Sequence, residues 1–415
     1  MENKTLSVRL LGEEAGILEQ DKNGKIRFTY FENAKTAISH SLPLGKKTFM
    51  EKECRPYFNG LLPESEKTRK RIAAIFGINA NSDFAILKSI GHDCAGALSL
   101  HNPDDPVKKI SFVKLEGAEQ TEESLAKHIE ELPQSPFFMD NSNDIRLSLA
   151  GAQDKGAISI IDGKICLPKN GTPSTHILKP LIKELDDTIL NEYLCLRLAV
   201  AVDITAPKVE IRKAKNIPYL LIERYDRKVK DNKVKRIHQE DFCQALGVLS
   251  INKYQVDGGP GIKECFRLLD NTVKVPAKNI LALMKMIMLN YLIGNNDAHG
   301  KNFSLLYKNE KPVLAPAYDI LSTEAYPKLT SKMAMKIGSS YEKEWIGISD
   351  WQKMCEAADY SFPVFKTSFL EMCEALPQKL QAEIELLDKG ISRDIPNRIS
   401  EVMRKNIKQI EKVLS

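Results

Sequence analysis

GNNDAHGKNFS, Gly294 to Ser304, follows directly on the run NILALMKMIMLNYLI at 279–293. That run is apolar nearly all round, which predicts a buried helix. The polar cluster at its end is either a loop reaching water or a site held by a rigid element. The chain around it has 415 residues, 43% hydrophobic and 28% charged, an ordinary globular composition with room for two or three domains. Sixty basic side chains against 55 acidic ones leave a net charge of +5, too balanced to predict nucleic-acid binding by itself. The densest basic cluster, KTRKR at 67–71, reads as a solvated helix face before it reads as a phosphate-binding patch.

The eight cysteines are scattered, without a CxxC pair, and several sit on apolar faces; they read as buried small hydrophobes in a reducing compartment. The seven histidines show no ligand spacing, which argues against a zinc site. The N-terminus lacks a signal-peptide apolar region and no apolar run is long enough to span a bilayer, so the expected location is cytoplasmic, with no membrane partner.

Along the chain, LSVRLL, GILEQ and IRFTYF predict strands within 5–31, with a turn at DKNGK. Helices are predicted to end on Gly77 and Gly91. HNPDDP at 101–106 is the best early linker. Short strands dominate from about 145 to 225, interrupted by a helix opening at Asn191, and helical patterns follow. The last places Met403, Ile407, Ile410 and Leu414 on one face. The predicted modules are residues 1–105, β-rich with helices; 106–235, sheet-rich with a nucleotide loop and hinge; and 236–415, helical with the catalytic and metal loops.

Within the opening stretch, Asp297 and Asn302 form D-x-x-x-x-N. Protein kinases use this spacing to set a base beside the substrate hydroxyl and a neutral oxygen ligand on Mg²⁺. His299 narrows the pattern to D-x-H-x-x-N, closer to lipid-kinase-like loops, and could donate to the transferring phosphoryl group. Taken alone, the loop reads first as one that caps helices with Asp and Asn. In LAPAYDILST, Asp319 follows a short apolar strand, where a kinase takes its charged metal ligand; a turn or N-cap Asp is the other reading. THILKP puts Lys179 on a strand, and Glu192 is its candidate ion-pair partner, or simply an acid favoured at a helix N-terminus. AGAQDKG, Ala150 to Gly156, is a small-residue loop that could approach phosphate oxygens or be an ordinary hairpin. PYLLIERYDR stands where a kinase hinge would join its lobes: Glu223 and Tyr225 would matter through backbone position, while Arg224, Asp226 and Arg227 read as structural ion pairs. Each signal is weak alone, but their order is the kinase order.

The chain resembles the HipA family, serine/threonine kinases of bacterial toxin–antitoxin modules. The resemblance rests on FNGLLPES (58–65), IGHDCAGAL (90–98), SLAGAQDK (148–155), STHILKP (174–180), IERYDR (222–227), YQVDGGPGI (254–262), NNDAHGKNFS (295–304), YDILS (318–322) and KMAMKIG (332–338), and runs to about residue 340. It implies an α+β, two-lobed kinase-like fold with a sheet-rich N-lobe, an added N-terminal module and a helical C-lobe. It implies ATP held by Ala150, Gly151, Ala152, Gln153, Asp154, Lys155, Lys179, the Glu223–Arg224–Tyr225 hinge, His299, Gly300, Lys301, Asn302, Tyr318 and Asp319. Asp297 would be the catalytic base, assisted by His299, and Asn302 and Asp319 would hold Mg²⁺. Ser148 matches the serine that family members phosphorylate on themselves, a self-inactivating brake. A HipB-like helix-turn-helix antitoxin, operator DNA reached mainly through it, and an aminoacyl-tRNA synthetase substrate such as the glutamyl enzyme are the implied partners, with arrest of translation and growth the implied outcome. The segment PLIKELDDTIL, 180–190, is shorter than the corresponding family loop. Two other functions stay open on the residues: a non-catalytic co-repressor partner of a DNA-binding antitoxin, and a small-molecule or lipid kinase.

Overall fold

A computed structural model describes residues 4–107, 112–139, 150–151, 153–169, 171–308, 311–388 and 390–415. The chain divides into two compact units: Met1–Pro180 with Arg212–Ile251 and Leu305–Glu310, and Leu181–Ile211 with Asn252–Ser304 and Lys311–Ser415.

The first unit opens with an antiparallel sheet ordered Thr48–Phe49, Ile26–Tyr30, Glu13–Gln20, Lys4–Leu10, Leu98–His101. The DKNGK turn forms because Asp21 Oδ1 accepts from the backbone N–H groups of Asn23 (2.8 Å) and Lys25 (2.9 Å). Helices Glu66–Phe76 and Asp83–Ile90 start on Ser65 and Ser82, whose hydroxyls accept from Thr68 and Ala85, and Gly77 ends the first in the left-handed conformation. KTRKR is only partly a solvated face: Lys67 and Lys70 are exposed, but Arg69 turns inward onto Asp83 at 2.5 Å. In a second sheet, five strands lie wholly in this unit, in the order Ile217–Glu223, His176–Pro180, Gly156–Ile161, Lys164–Pro168, Gly117–Glu119.

A buried acid sits where the helix–sheet core meets strand His238–Asp241. Glu240 accepts from Ser39 Oγ (2.5 Å), the His40 N–H (2.9 Å) and the Tyr307 hydroxyl. Burial pushes its carboxyl up to about 7, against the lowering effect of those three donors. The folded chain therefore holds a proton on Glu240 at pH values where the unfolded chain has released it. This group's contribution to stability falls as pH rises from its ordinary value of 4.5 through about 7. His238, pushed down to about 4 by burial, acts in the opposite sense over an overlapping range. The difference between wild type and Glu240→Gln isolates the carboxyl: urea-denaturation curves should show the wild type losing stability relative to the variant between pH 5 and pH 7. A constant difference would place the proton elsewhere.

The second unit is helical, with Thr188–Ala201, Ile262–Thr272, Pro276–Ile293, Ile348–Ala357, Phe362–Glu385 and Asp394–Leu414. Trp351 is fully buried, stacked on Phe365 (5.5 Å between ring centroids) and edge-on to Phe369 (5.1 Å) and Tyr291 (5.3 Å). The last helix buries Met403, Ile407, Ile410 and Leu414, the predicted face. Among the described residues no helix is long and apolar enough to cross a membrane. All eight cysteines are free and buried.

Candidate active site

The helix Pro276–Ile293 is buried over most of its circumference, as its composition predicts. Its C-terminal carbonyls, which lack partners within the helix, are satisfied from outside. Asn406 Nδ2 and Lys343 Nζ each donate to the Tyr291 carbonyl at 3.1 Å, and Lys343 is itself paired with Glu324 at 2.7 Å. Gly294 ends the helix at φ +73°, where a Cβ would lie 2.7 Å from both Glu324 Cβ and Val402 Cγ1, so only glycine fits. The polar loop that follows is thus anchored at a fixed point.

The loop is held by its own side chains. Asn295 Oδ1 accepts from the Asp297 N–H at 3.2 Å, and Asn295 Nδ2 donates to Asn290 Oδ1 at 3.0 Å. Asn296 receives a hydrogen bond from Ala334 N–H (2.8 Å) on its carbonyl and gives its own N–H to Thr323 Oγ1 (2.9 Å). The Tyr254 hydroxyl donates to Asp297 Oδ1 at 2.7 Å, and the Lys253 carbonyl accepts from Gly300 N–H at 3.2 Å. Asn302 Nδ2 donates to Asp319 Oδ2 at 3.1 Å, so the two expected metal ligands meet. Asp319 stands at φ +56°, a left-handed conformation that Asp tolerates better than most residues. Tyr318 fixes the same turn by donating to the Lys301 carbonyl at 2.6 Å.

His299 is 5% exposed, with its ring edge-on to Tyr254 at 5.0 Å and no hydrogen-bond partner for Nδ1 among the described residues. Burial, reinforced by Lys253, pushes it down to about 3 against the opposing pull of Asp319. It is therefore neutral at neutral pH, with one ring N–H to donate.

The other expected residues fall in the first unit, apart from Glu192. Lys179 is buried, on strand His176–Pro180 opposite Leu220. Lys155 Nζ folds back onto the Ala150 carbonyl at 2.7 Å, over Gly151 at φ +106°; Asp154 lies in the same loop, and Gln153 Nε2 reaches the Pro180 carbonyl at 3.3 Å. Ser148 and Ala152 lie outside the described residues. The Tyr225 hydroxyl donates to Gln239 Oε1. Arg224 is held within the fold: its side chain is 2% exposed and bonded to Asp226 and Ser174, its N–H goes to the Thr175 carbonyl at 2.9 Å, and its own carbonyl accepts from Arg227 at 3.1 Å. Glu192 is buried in helix Thr188–Ala201 of the second unit, which begins three residues earlier than Asn191.

Tyr254 and Asn191 carry positioning roles that their sequence context did not signal. Asn191 holds the turn after Asp319 through Nδ2 to the Ser322 carbonyl (3.0 Å) and Oδ1 from the Ser322 N–H (2.7 Å). Strand Leu98–His101 also brings His92, His101 and Asp105 together, with donor atoms within 4.8 Å, a grouping that their spacing along the chain does not show. The guanidiniums of Arg9 and Arg236, bonded to the Pro106 and His92 carbonyls, flank that cluster and oppose a cation there.

The model of the HipA N-terminal domain matches residues 6–101, and that of the HipA-like C-terminal domain matches 147–383, past the point near 340 where recognisable motifs end. The chain is 39% identical over 389 residues to "Putative kinase Y4mE" of Sinorhizobium fredii, covering 92% of each. It is 25% identical over 369 residues to the serine/threonine-protein kinase toxin HipA of Shewanella oneidensis, covering 86% of this chain and 83% of that one. A solved structure of the Shewanella oneidensis toxin–antitoxin system, HipA with HipB and operator DNA, superposes with a TM-score of 0.83 at 22% identity, covering 99% of this chain and 97% of that one. The fold is accordingly the α+β, two-lobed kinase-like one, and the chain belongs to the HipA-like family.

Proposed function

We propose that this protein is an ATP- and Mg²⁺-dependent serine/threonine protein kinase, the toxin of a toxin–antitoxin pair. The observation that carries the reading is the convergence of Asp297, Asn302 and Asp319 at the fixed end of one buried helix, with Asn302 and Asp319 in contact at 3.1 Å. A carboxylate and an amide oxygen are the hard donors that Mg²⁺ takes. Asn302 Oδ1 accepts from the His299 N–H at 3.3 Å; rotation of the side chain that exchanges this long bond for a cation sets the oxygen beside the Asp319 carboxylate, so the two could share the ion. When bound, Mg²⁺ would offset the charge of the nucleotide phosphates.

The chain's own groups supply the rest. Asp297, with one oxygen fixed by Tyr254, accepts the proton of the substrate hydroxyl on the other. Neutral His299 donates an N–H, and Lys179 offers a point charge to phosphate oxygens. The substrates are a cytosolic protein, by family resemblance an aminoacyl-tRNA synthetase such as the glutamyl enzyme, and Ser148 of the chain itself. The partner is a HipB-like antitoxin, the kind of protein present in the superposed complex, with operator DNA reached through it.

Incubation of the purified chain with Mg-ATP, followed by intact-mass and phosphopeptide analysis, tests the reading. One phosphate on Ser148 is expected. An unmodified chain that also fails to label a synthetase in the presence of the antitoxin-free protein would defeat it. Tyr254→Phe removes a hydrogen bond to a charged group, worth about 1.5–3 kcal/mol to the fold, so the melting temperature should drop, and with Asp297 no longer oriented kcat should fall about tenfold. A fall of less than twofold would assign Tyr254 to packing alone.

A further inference from the structure

The hairpin RKVKDNKVKR, 227–236, pairs Arg227–Lys230 with Lys233–Arg236, and the second strand pairs in turn with Val113–Lys114. Residues directly opposite each other in such a ladder share a face. The register sets Lys228 against Lys235, Lys230 against Lys233, and Lys233 against Lys114. Five lysines thus occupy one face of a three-stranded sheet, all exposed, and none makes an ion pair with a described residue. The alternate positions turn the other way: Val234 is fully buried, and Arg227 and Arg236 reach inward to Asp93 at 2.7 and 3.6 Å. The single acid of the hairpin, Asp231, sits at the turn. Like charges directly opposite each other destabilise a sheet, and the ladder sets lysine against lysine three times.

We propose that this lysine face binds the phosphate backbone of a nucleic acid without reading its sequence. The composition of the face favours that partner over an acidic protein. Protein interfaces centre on Trp, Tyr and Arg and are depleted in Lys. Here the paired positions of the face hold lysine with no aromatic or arginine, which suits point-charge contact with phosphates and no base readout. Lysines two apart on a strand lie about 7 Å from each other, giving rows that can follow a backbone. The inference does not depend on phosphotransfer, and Asp297→Asn should bind like wild type.

The test is fluorescence anisotropy of labelled mixed-sequence DNA and RNA duplexes, with the full chain, over a salt series. The five-fold variant Lys114→Gln, Lys228→Gln, Lys230→Gln, Lys233→Gln, Lys235→Gln is compared with Lys67→Gln, Lys70→Gln, which alters exposed lysines elsewhere. Wild type and the second variant should bind alike. The five-fold variant should bind at least tenfold more weakly, and the slope of log K against log salt should shrink by about 0.9 for each phosphate no longer neutralised. The two duplexes decide which nucleic acid the face prefers. The melting temperature of the five-fold variant should be no lower than that of wild type, because repelling pairs have been removed. An unchanged slope, absence of binding by wild type at low salt, or tighter binding of polyglutamate than of either duplex overturns the proposal.

Discussion

Asp297→Asn is expected to lower phosphotransfer by about 10²–10⁴-fold, the range for loss of a positioned general base. The substitution is close to isosteric, and the amide oxygen can still accept from the Tyr254 hydroxyl, now 2.7 Å from Oδ1. Asn295, Gly294 and the Lys253 carbonyl set the loop geometry through backbone groups that the substitution leaves in place, so melting temperature and nucleotide affinity should stay near wild type. What disappears is an atom able to take the substrate proton. Because the effect lies on the chemical step, kcat and kcat/KM should fall together while KM for ATP holds. Single-turnover labelling with saturating Mg-ATP makes the measurement. A variant that keeps more than a tenth of the wild-type rate would show that Asp297 orients the hydroxyl without accepting its proton, and the base would have to be sought elsewhere.

How far this site was legible depended on sequence distance. The buried helix, its Gly294 stop and the D-x-H-x-x-N loop are local patterns, and the structure reproduces them where periodicity and spacing placed them. The meeting of Asn302 with Asp319, 17 residues on, followed from kinase order and from nothing in the intervening residues. Tyr254 and Asn191 were not legible, because they act across 43 and 131 positions on loops closed only by the packed helical unit. The lysine face was hidden for a related reason. RKVKDNKVKR announces its charge, but only the strand register turns its two arginines inward and aligns its lysines with Lys114. Glu240 was illegible in another way: nothing in HQED marks a buried acid, yet Glu240 is 1% exposed and its carboxyl is surrounded by donors. Alternation predicts which residues share a face, and cannot say which face another segment will cover.

The largest stability effect should come from Asp93→Asn. Asp93 meets Arg227 at 2.7 Å and lies 3.6 Å from both Arg224 and Arg236, while Ser174 donates its N–H (3.2 Å) and hydroxyl (3.4 Å). Asp226 serves Arg224 at 2.9 Å and Arg227 at 2.8 Å. Three guanidiniums therefore share two carboxylates in a place where Arg224 and Arg227 are 2% and 0% exposed. Burial alone would raise the Asp93 carboxyl, but Arg227, Arg224 and Arg236 outweigh it and hold it below its ordinary range. Neutralising it leaves three cations against one acid, and Arg227, already pushed down to about 10 by burial and by Arg224, is left without its closest carboxylate partner. Removing one member of a buried charge cluster costs about 3–5 kcal/mol, against about 0–1 kcal/mol for an exposed pair. Glu32, whose pair with Lys47 is 89% and 60% exposed, is the matched control. Urea denaturation followed by circular dichroism should show Asp93→Asn unfolding far earlier than Glu32→Gln, whose curve should overlie wild type. The wild-type advantage over Asp93→Asn should vanish as pH falls through the lowered pKa of Asp93, because the carboxylate stabilises the fold only while ionised. Equal curves for the two variants would mean that the arginines are satisfied by the Gly96 and Cys94 carbonyls, which accept from Arg227 at 3.0 and 3.2 Å, without need of the acid.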